Sequence, residues 1–198
     1  FLGVHDAKDT PEKRDWPRLS LLRLPQSEDR GIVYKPIDVR FPVPEGRPND
    51  LESACRLPDG KGFLLCESGQ EGVGDRHIFH AVFHDGKLQI KSFTRWPVKI
   101  KNVEGTEVCR IGEQLIFLYA ERADSEPSTE LRWCSLSLDP WEFGPFSGVE
   151  FTCPDPTGKG ARPSSSSIFL CRFDAPLLDF IAVVTPCSDK TLVPSSKT

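Results

Sequence analysis

Methionine is missing from all 198 positions of the sequence, the first position included. We therefore expect a chain that was processed after synthesis or that lacks its natural start. The first residues also contain no apolar core of a signal peptide, so a mature secreted protein and a piece of a longer protein both fit. The compartment predicted from these features is secreted, periplasmic or lumenal, with a soluble chain.

Long apolar runs and an excess of positive charge are equally absent. No stretch reaches the roughly 18 apolar residues that a membrane-spanning helix needs, which excludes such a helix. The 25 basic residues are outnumbered by 29 acidic ones, for a net charge of −4. No basic face is clustered enough to predict a nucleic-acid partner. There is no Gly-x-Ser-x-Gly elbow, phosphate loop or dinucleotide fingerprint, so no enzyme class with these motifs is predicted.

Seven cysteines are present, but none forms a Cys-x-x-Cys pair or a Cys/His cluster with zinc spacing. Most lie inside apolar runs, and we predict that they are buried as small hydrophobic side chains. One disulfide, joining Cys153 to Cys171 or Cys187, is the alternative. Because seven is an odd number, at least one thiol has no partner within the chain.

Two segments of the chain follow the same order of elements, which indicates an internal repeat. Each begins with an Asn/Glu turn, continues into a short strand ending in Cys-Arg, and turns at a glycine into an apolar strand ending on Glu. The spacing is the same in both segments, because 12 residues separate Cys55 from Glu67 and Cys109 from Glu121. The chain therefore contains at least two copies of one β unit.

Two further strands complete each copy. Alternating apolar and polar residues predict a third strand over 77–83 and again over 131–138. A fourth strand is predicted over 88–93 and over 148–152. Asp85-Gly86 supplies a hairpin turn between the third and fourth strands of the first copy.

Incomplete units with the same strand order flank the two copies. Before them, strands two, three and four of a unit are predicted over 1–6, 17–24 and 33–39. After them, strands one and two of a unit are predicted over 166–170 and 180–185. No segment shows a sustained helical period.

We therefore predict an all-β fold, a β-propeller-like array of four-stranded antiparallel blades that forms a single domain over 1–198. With about three and a half blades, the ring is incomplete. We expect either a longer natural chain or a protein partner or second copy that covers the open blade edge. A twisted β-sandwich of the same strands is the alternative. The units, of which the first and last are partial, run over 1–48, 49–101, 102–156 and 157–198.

The turn motifs resemble those of a known family. Residues 49–54 read Asn-Asp-Leu-Glu-Ser-Ala, 57–60 read Leu-Pro-Asp-Gly, and 63–69 read Phe-Leu-Leu-Cys-Glu-Ser-Gly. This order is similar to that of the phytase-like, esterase-like β-propeller family of bacterial secreted proteins, over residues 1–156. The resemblance implies a propeller fold and a metal-assisted hydrolase of phosphoric or carboxylic esters.

Acidic residues near the turns are the best candidates for chemistry. If the first strand of each unit faces a central channel, carboxylates from two units meet near one rim, where they could bind Ca²⁺ or act in catalysis. A further interpretation is that these carboxylates form salt bridges with nearby arginines. The favoured interpretation is structural, with Glu52 and Glu104 accepting hydrogen bonds from the turn backbone. The candidate calcium ligands are Asp50, Glu52, Glu67, Glu104 and Glu121. The arginines are Arg56, Arg110 and Arg122.

An aromatic segment bounded by prolines follows the third strand of the second copy. We predict that Trp141, Phe143 and Phe146 form a loop that contacts a protein partner, with packing inside the protein as the alternative. His77 and His80 lie on opposite faces of one strand, so they are not expected to bind the same metal ion.

The function that we favour is a non-enzymatic binding or assembly module, which meets a protein partner through blade loops or an open blade edge. The alternative is the calcium-assisted ester hydrolase that the resemblance implies. One geometric feature separates the two functions. The hydrolase requires carboxylates of two units about 2.3–2.6 Å from a shared ion, whereas in a binding module each carboxylate bonds to its local backbone.

Overall fold

The computed structural model shows fourteen strands and no helix in the part of the chain that it describes. The prediction of an all-β chain is thus confirmed, and no helix in this part could cross a membrane. The described residues are 1–5, 12–13, 15–23, 31, 33–44, 46–69, 76–122, 128–152, 166–171 and 181–186. Of these, only the backbone is described at 122, 128, 151–152, 166–171 and 181–186.

The strands form four antiparallel sheets in chain order. Sheet one consists of β1 (Leu2–Val4), β2 (Leu19–Arg23) and β3 (Val33–Ile37). Sheet two consists of β4 (Leu51–Arg56), β5 (Gly62–Glu67), β6 (His77–His84) and β7 (Lys87–Arg95). Sheet three consists of β8 (Val103–Ile111), β9 (Gln114–Arg122), β10 (Ser128–Leu138), β11 (Trp141–Phe143) and β12 (Ser147–Thr152). Sheet four consists of β13 (Ser166–Cys171) and β14 (Ile181–Pro186).

The outer edge of sheet three differs from the prediction. β12 is the predicted fourth strand and pairs with residues 128–133 of β10. β11 pairs with residues 136–138 of the same strand, so the prediction of a loop is wrong for 141–143. Three residues are too few to show an alternating pattern, and the sequence therefore did not reveal this strand.

The sheets follow one another in a row, with the face of each packed against the next, rather than forming the two layers of a single sandwich. The first strand of sheet two, β4, contacts β1 on one side and β8 on the other, and β8 also contacts β13. This order, in which the first strands of successive sheets are neighbours, is that of a propeller-like array. No closed ring is formed by the residues that the structure describes.

Two hydrophobic cores fill the spaces between the first three sheets. The core between sheets one and two is built from Leu19, Phe41, Leu51, Leu65, Phe79, Ala81 and Leu88. The core between sheets two and three contains Cys55, Leu57, Leu64, Cys66, Ile78, Trp96, Ile100, Val103, Val108, Phe117, Tyr119, Cys134 and Leu136. Neighbouring residues of β5 belong to different cores because successive side chains of a strand point to opposite faces.

The repeat extends to irregularities of the strands. In sheet two, Leu51 lies opposite Glu67 and Ser53 opposite Cys66, which leaves Glu52 as the extra residue of a β-bulge. In sheet three, the register shifts in the same way between Val103 and Gly105. The two carboxylates that sequence analysis placed in the turns, Glu52 and Glu104, are therefore bulged residues at corresponding positions.

The predicted hairpin between β6 and β7 is present. Asp85 has a φ of 49° and Gly86 a φ of 72°, both in the left-handed region that a two-residue Asp-Gly turn uses. His84 and Lys87 close the hairpin as a pair.

Candidate functional site

The carboxylate of Glu67 joins three strands of sheet two. It lies at the end of β5, and the residue is 3% exposed. One oxygen, Oε1, accepts the backbone N–H of Asn49 at 2.9 Å, two residues before β4 begins. The other oxygen, Oε2, accepts the backbone N–H of His77 at 2.8 Å and lies 2.9 Å from its Nδ1. Glu67 therefore connects the starts of β4 and β6 to the end of β5.

Glu121 has the same place in sheet three. It is fully buried, and its Oε2 accepts the backbone N–H of Lys101 at 2.8 Å, two residues before β8 begins. Its Oε1 lies 3.3 Å from Nε of Arg132, whose guanidinium also bonds to Glu130 at 2.7 Å. Burial raises the pKa of Glu121, and the Lys101 hydrogen bond and the Arg132 charge oppose this rise.

These contacts add two residues to the structural interpretation of the turns. Hydrogen bonds from the turn backbone go to the carboxylates of Glu67 and Glu121, which end the second strands. Glu104 accepts a hydrogen bond from the side-chain amide of Asn102 at 2.7 Å, and backbone hydrogen bonds to Glu52 and Glu104 stay a prediction. The role of Glu67 and Glu121 was not foreseen because sequence order does not show that a strand end folds back beside the start of the preceding strand.

The five predicted calcium ligands lie close to the starts of β4 and β8, but their described contacts are local. Asp50 is 5% exposed, and its main-chain oxygen accepts the N–H of Ser68 at 2.7 Å. Within the described ranges, no three His, Cys, Asp or Glu side chains are placed so as to hold a metal ion. The carboxylates of Glu67 and Glu121 each bind their own turn. The calcium site itself stays a prediction.

The arginines considered for salt bridges have different positions. Arg56 and Arg110 are exposed, and the side chain of Arg122 lies outside the described residues. Arg132, on β10, meets the strand-end carboxylate of Glu121, and sequence analysis did not single it out. Its signal was its place in the third strand, two residues after the residue paired with Glu121.

The aromatic side chains of 141–146 are turned inward. Trp141 stacks on His80 of sheet two, with ring centres 5.5 Å apart and an angle of 4° between the planes. Phe143 packs edge-on against Phe117 at 5.4 Å, and Phe146 against Tyr119 at 5.9 Å. All three side chains are partly buried against the core between sheets two and three. This arrangement favours the packing alternative, and contact with a partner stays a prediction for them.

The histidines of β6 behave as expected from strand geometry. The ring of His77 lies near Phe79 and Phe93, on the face of sheet two that points to sheet one. His80 lies on the opposite face against Trp141. Burial lowers the pKa of His80, and Lys91 adds to the effect.

The side chains of four cysteines are described, and all four are buried free thiols, as predicted. Burial raises the pKa of Cys66 to about 12 and that of Cys134 to about 12. The alternative disulfide falls on Cys153 and Cys187, which lie outside the described residues, and on Cys171, of which only the backbone is described.

One serine contacts a histidine, an arrangement that can activate a nucleophile. His5 Nε2 lies 3.0 Å from Ser20 Oγ. Ser20 is only 1% exposed, and the same imidazole nitrogen also lies 3.3 Å from the hydroxyl of Tyr34. A substrate could not reach this serine without a rearrangement, and the contact is better described as a hydrogen-bonded joint of sheet one.

An exposed apolar surface lies on the face of sheet three that points away from sheet two. Trp133 is 37% exposed and Val149 is 49% exposed. Trp133 lies opposite Leu118, on the other face from the core residue Phe117. Leu131 lies opposite Val149 and two residues before Trp133, so all share one face. We call this surface, consisting of Leu131, Trp133 and Val149, the outer face of sheet three.

Comparisons of the chain with family models, with curated proteins and with solved structures give no match.

Proposed function

We propose that the protein is a non-enzymatic binding or assembly module, in which the outer face of sheet three receives a protein partner or a second copy. The exposure of Trp133 and Val149 on that face is the observation that carries this proposal. The carboxylates support it independently, because Glu67 and Glu121 each hold the backbone of their own turn.

Sheet two shows what normally covers such a face. Ile78 lies opposite Cys66, and Leu131 lies opposite Ala120, so the two residues have corresponding positions one residue before the strand-end Glu. Ile78 is fully buried, and His80, two residues later, is 7% exposed, because sheet three packs against them. Sheet four is the neighbour of sheet three on this side, since β13 contacts β8. Trp133, which corresponds to His80, nevertheless remains 37% exposed.

Covering the exposed part of Trp133 would favour association. Full burial of a tryptophan removes roughly 150–250 Å² of surface from water, and Trp133 is still 37% exposed, so about a third of that surface is left to bury, at about 25 cal/mol per Å². A β-sheet face is the natural complement, since the equivalent surface of sheet two is covered in that way. Tryptophan is also among the residues enriched at the centres of interfaces.

The experiment is photo-crosslinking from position 133. Trp133 is replaced by p-benzoylphenylalanine in the cells that produce the protein, and the same replacement is made at Ile111 as a control. Ile111 is also an exposed large apolar residue, at 45%, but lies at the end of β8 beside the turn to β9. We expect a discrete adduct from position 133 and none from position 111.

The mass of the adduct identifies the occupant. An adduct of twice the 22.2 kDa chain indicates a second copy, and light scattering should then show a dimer that Trp133→Ser converts to monomer. A different discrete mass indicates another protein. Absence of any adduct from position 133, together with calcium-dependent hydrolysis of phosphoric or carboxylic esters by the purified chain, would overturn the proposal in favour of the hydrolase.

A further inference from the structure

A groove separates sheet one from sheet two at the end of the sheets opposite Glu67. Its volume is about 930 Å³. Leu2 and Leu21, which are paired on neighbouring strands, form the wall on sheet one. Ala54 and Phe63 form the wall on sheet two, and Phe83 lies at its mouth. We call this space the inter-sheet groove.

The groove presents aromatic surface to solvent. The rings of Phe63 and Phe83 meet edge-on with centres 5.9 Å apart, and Phe83 is 40% exposed. Leu2, Leu21 and Phe63 are only half-buried. A bulky apolar side chain entering the groove would therefore remove several apolar surfaces from water at once, which is favourable.

The rim of the groove is basic, although the whole chain has a net charge of −4. Arg56 and Lys61 line the groove and are exposed. Lys35, also exposed, lies opposite Leu21 in the sheet and so shares its face. The acidic residue of the same turn is Asp59, whose carboxylate accepts the N–H of Lys61 at 2.9 Å. Two cations, Arg56 and Lys61, thus line the groove, and the turn between them carries one carboxylate.

One of these cations, Arg56, lies against the turn between β4 and β5. Gly60 has a φ of 73°, in the left-handed region that glycine adopts without strain. A Cβ atom at Gly60 would lie 2.9 Å from the Arg56 guanidinium, so the guanidinium packs directly over the glycine. The guanidinium of Arg56 thus lies against the turn at the rim, 3.5 Å from the main-chain oxygen of Gly60.

From these features we infer that the inter-sheet groove binds an acidic peptide segment that carries one bulky apolar side chain. Two separate cations, Arg56 and Lys61, line the groove, so carboxylates spaced along a chain can pair with each of them, while the apolar side chain contacts Phe63 and Phe83. Charge complementarity of this kind selects partners and speeds association. The inference rests on the proposed function as a binding module, but it uses a surface on different sheets from Trp133.

The test uses a fluorescein-labelled peptide with the sequence Gly-Asp-Glu-Asp-Trp-Glu-Asp-Gly and measures its binding by fluorescence anisotropy. Two comparison peptides carry Lys in place of every acidic residue or Ala in place of Trp. We expect saturable binding of the first peptide, weaker binding of the Ala peptide, and no binding of the Lys peptide.

Variants of the protein locate the binding. The double substitution Arg56→Glu with Lys61→Glu should weaken the affinity by about tenfold or more, and Phe83→Ser by about fivefold. The matched control is Lys91→Glu with Arg110→Glu, which makes the same charge change at exposed cations of β7 and β8. This control should retain the affinity. Melting temperatures establish that each variant is folded.

Three results would overturn the inference. These are a lack of binding at millimolar peptide, an equal loss of affinity in both double variants, and equal affinity for the Trp and Ala peptides. Failure of the peptide test with an intact adduct from position 133 would remove the groove as a site and leave the assembly function standing. Peptide binding without that adduct would support the groove as a binding site and count against the outer face of sheet three as a docking surface.

Discussion

The hydroxyl groups of Ser53 and Thr106 meet at 2.9 Å across the boundary between sheets two and three. Thr106 is 5% exposed, and its hydroxyl also points to the Cys55 thiol at 3.8 Å. The joint is a polar contact inside an otherwise apolar interface. Because buried polar groups must find partners, the pair favours one alignment of the two sheets over others.

A double-mutant cycle on this joint should give a coupling free energy. Ser53→Ala and Thr106→Val each remove one hydroxyl, and we expect a coupling of about 1 kcal/mol, the usual net value of a hydrogen bond. The measurement is the free energy of unfolding in urea. Ser53→Ala combined with Ser137→Ala on β10 is the control pair, for which the effects should add to within about 0.5 kcal/mol. Full additivity for Ser53 and Thr106 would show that the joint contributes nothing.

Replacing Glu67 should be strongly destabilising. Glu67→Ala leaves the backbone amides of Asn49 and His77 without their acceptor, and an unsatisfied buried group costs about 1–3 kcal/mol. We expect a loss of about 3 kcal/mol and a melting temperature lower by about 6–12 °C. The control is Glu113→Ala, an exposed glutamate in the turn between β8 and β9, which should change stability by less than about 0.5 kcal/mol. Similar effects of both substitutions would contradict the role given to Glu67.

The buried carboxylate of Glu121 should make stability depend on pH. Its pKa is raised, chiefly by burial, so the folded chain holds this proton more tightly than the unfolded chain does. The contribution of Glu121 to stability is therefore largest below the unfolded pKa, about 4.3, and falls as pH rises through the folded pKa.

Glu121→Gln removes this titration and isolates the effect. Urea midpoints of the wild type and of Glu121→Gln, measured between pH 4 and 8, should show the wild type losing stability relative to the variant as pH rises. Glu113→Gln, at an exposed position, should follow the wild type throughout. A wild type that gains stability relative to Glu121→Gln with rising pH would refute the assignment.

The buried thiols should be unreactive in the folded protein. Only the thiolate reacts readily, and burial raises the pKa of Cys66 and of Cys134 to about 12. At pH 8 we expect peptides containing these two cysteines to resist iodoacetamide in the native state and to be modified in urea, as read by mass spectrometry. Rapid modification of either peptide in the native protein would contradict their placement in the core.

Calcium should not stabilise the chain if the carboxylates of Glu67 and Glu121 are occupied by hydrogen bonds from the backbone. A ligand at 100 times its dissociation constant stabilises a protein by about 2.7 kcal/mol, so millimolar Ca²⁺ would raise the melting temperature measurably if it bound tightly. We expect no change, with Mg²⁺ as the comparison cation. A calcium-specific rise that Glu52→Gln and Glu104→Gln abolish would support the predicted metal site.

The sequence was a good guide to the strands of sheets two and three because their pattern is local. Alternating residues mark β6, and the Asp-Gly pair sets the turn that follows it. The twelve-residue spacing from Cys55 to Glu67 and from Cys109 to Glu121 showed that the two sheets repeat one plan. The short strand β11 escaped prediction since three residues carry no period.

The candidate site was predicted less well, for a reason that Glu52 and Glu67 illustrate. Both were recognised as repeated acidic positions, but their roles depend on which backbone amides lie beside them. The bulge that makes Glu52 the extra residue of its strand and the return of β5 to the start of β4 arise from strand pairing. Arg132 was missed because its partner, Glu121, lies on a different strand, and only the pairing of β9 with β10 brings the two side chains together.

The sequence by itself determined that the chain is all-β, that its units repeat, and that its strand-end glutamates recur at one position. Strand periodicity, turn residues and repeat spacing are local quantities, and they can be read from the order of residues. The tertiary structure alone decided that Trp141, Phe143 and Phe146 point inward while Trp133 remains exposed. Which face of a strand is covered depends on the sheet that packs against it, and that neighbour is set by long-range contacts that no local pattern encodes.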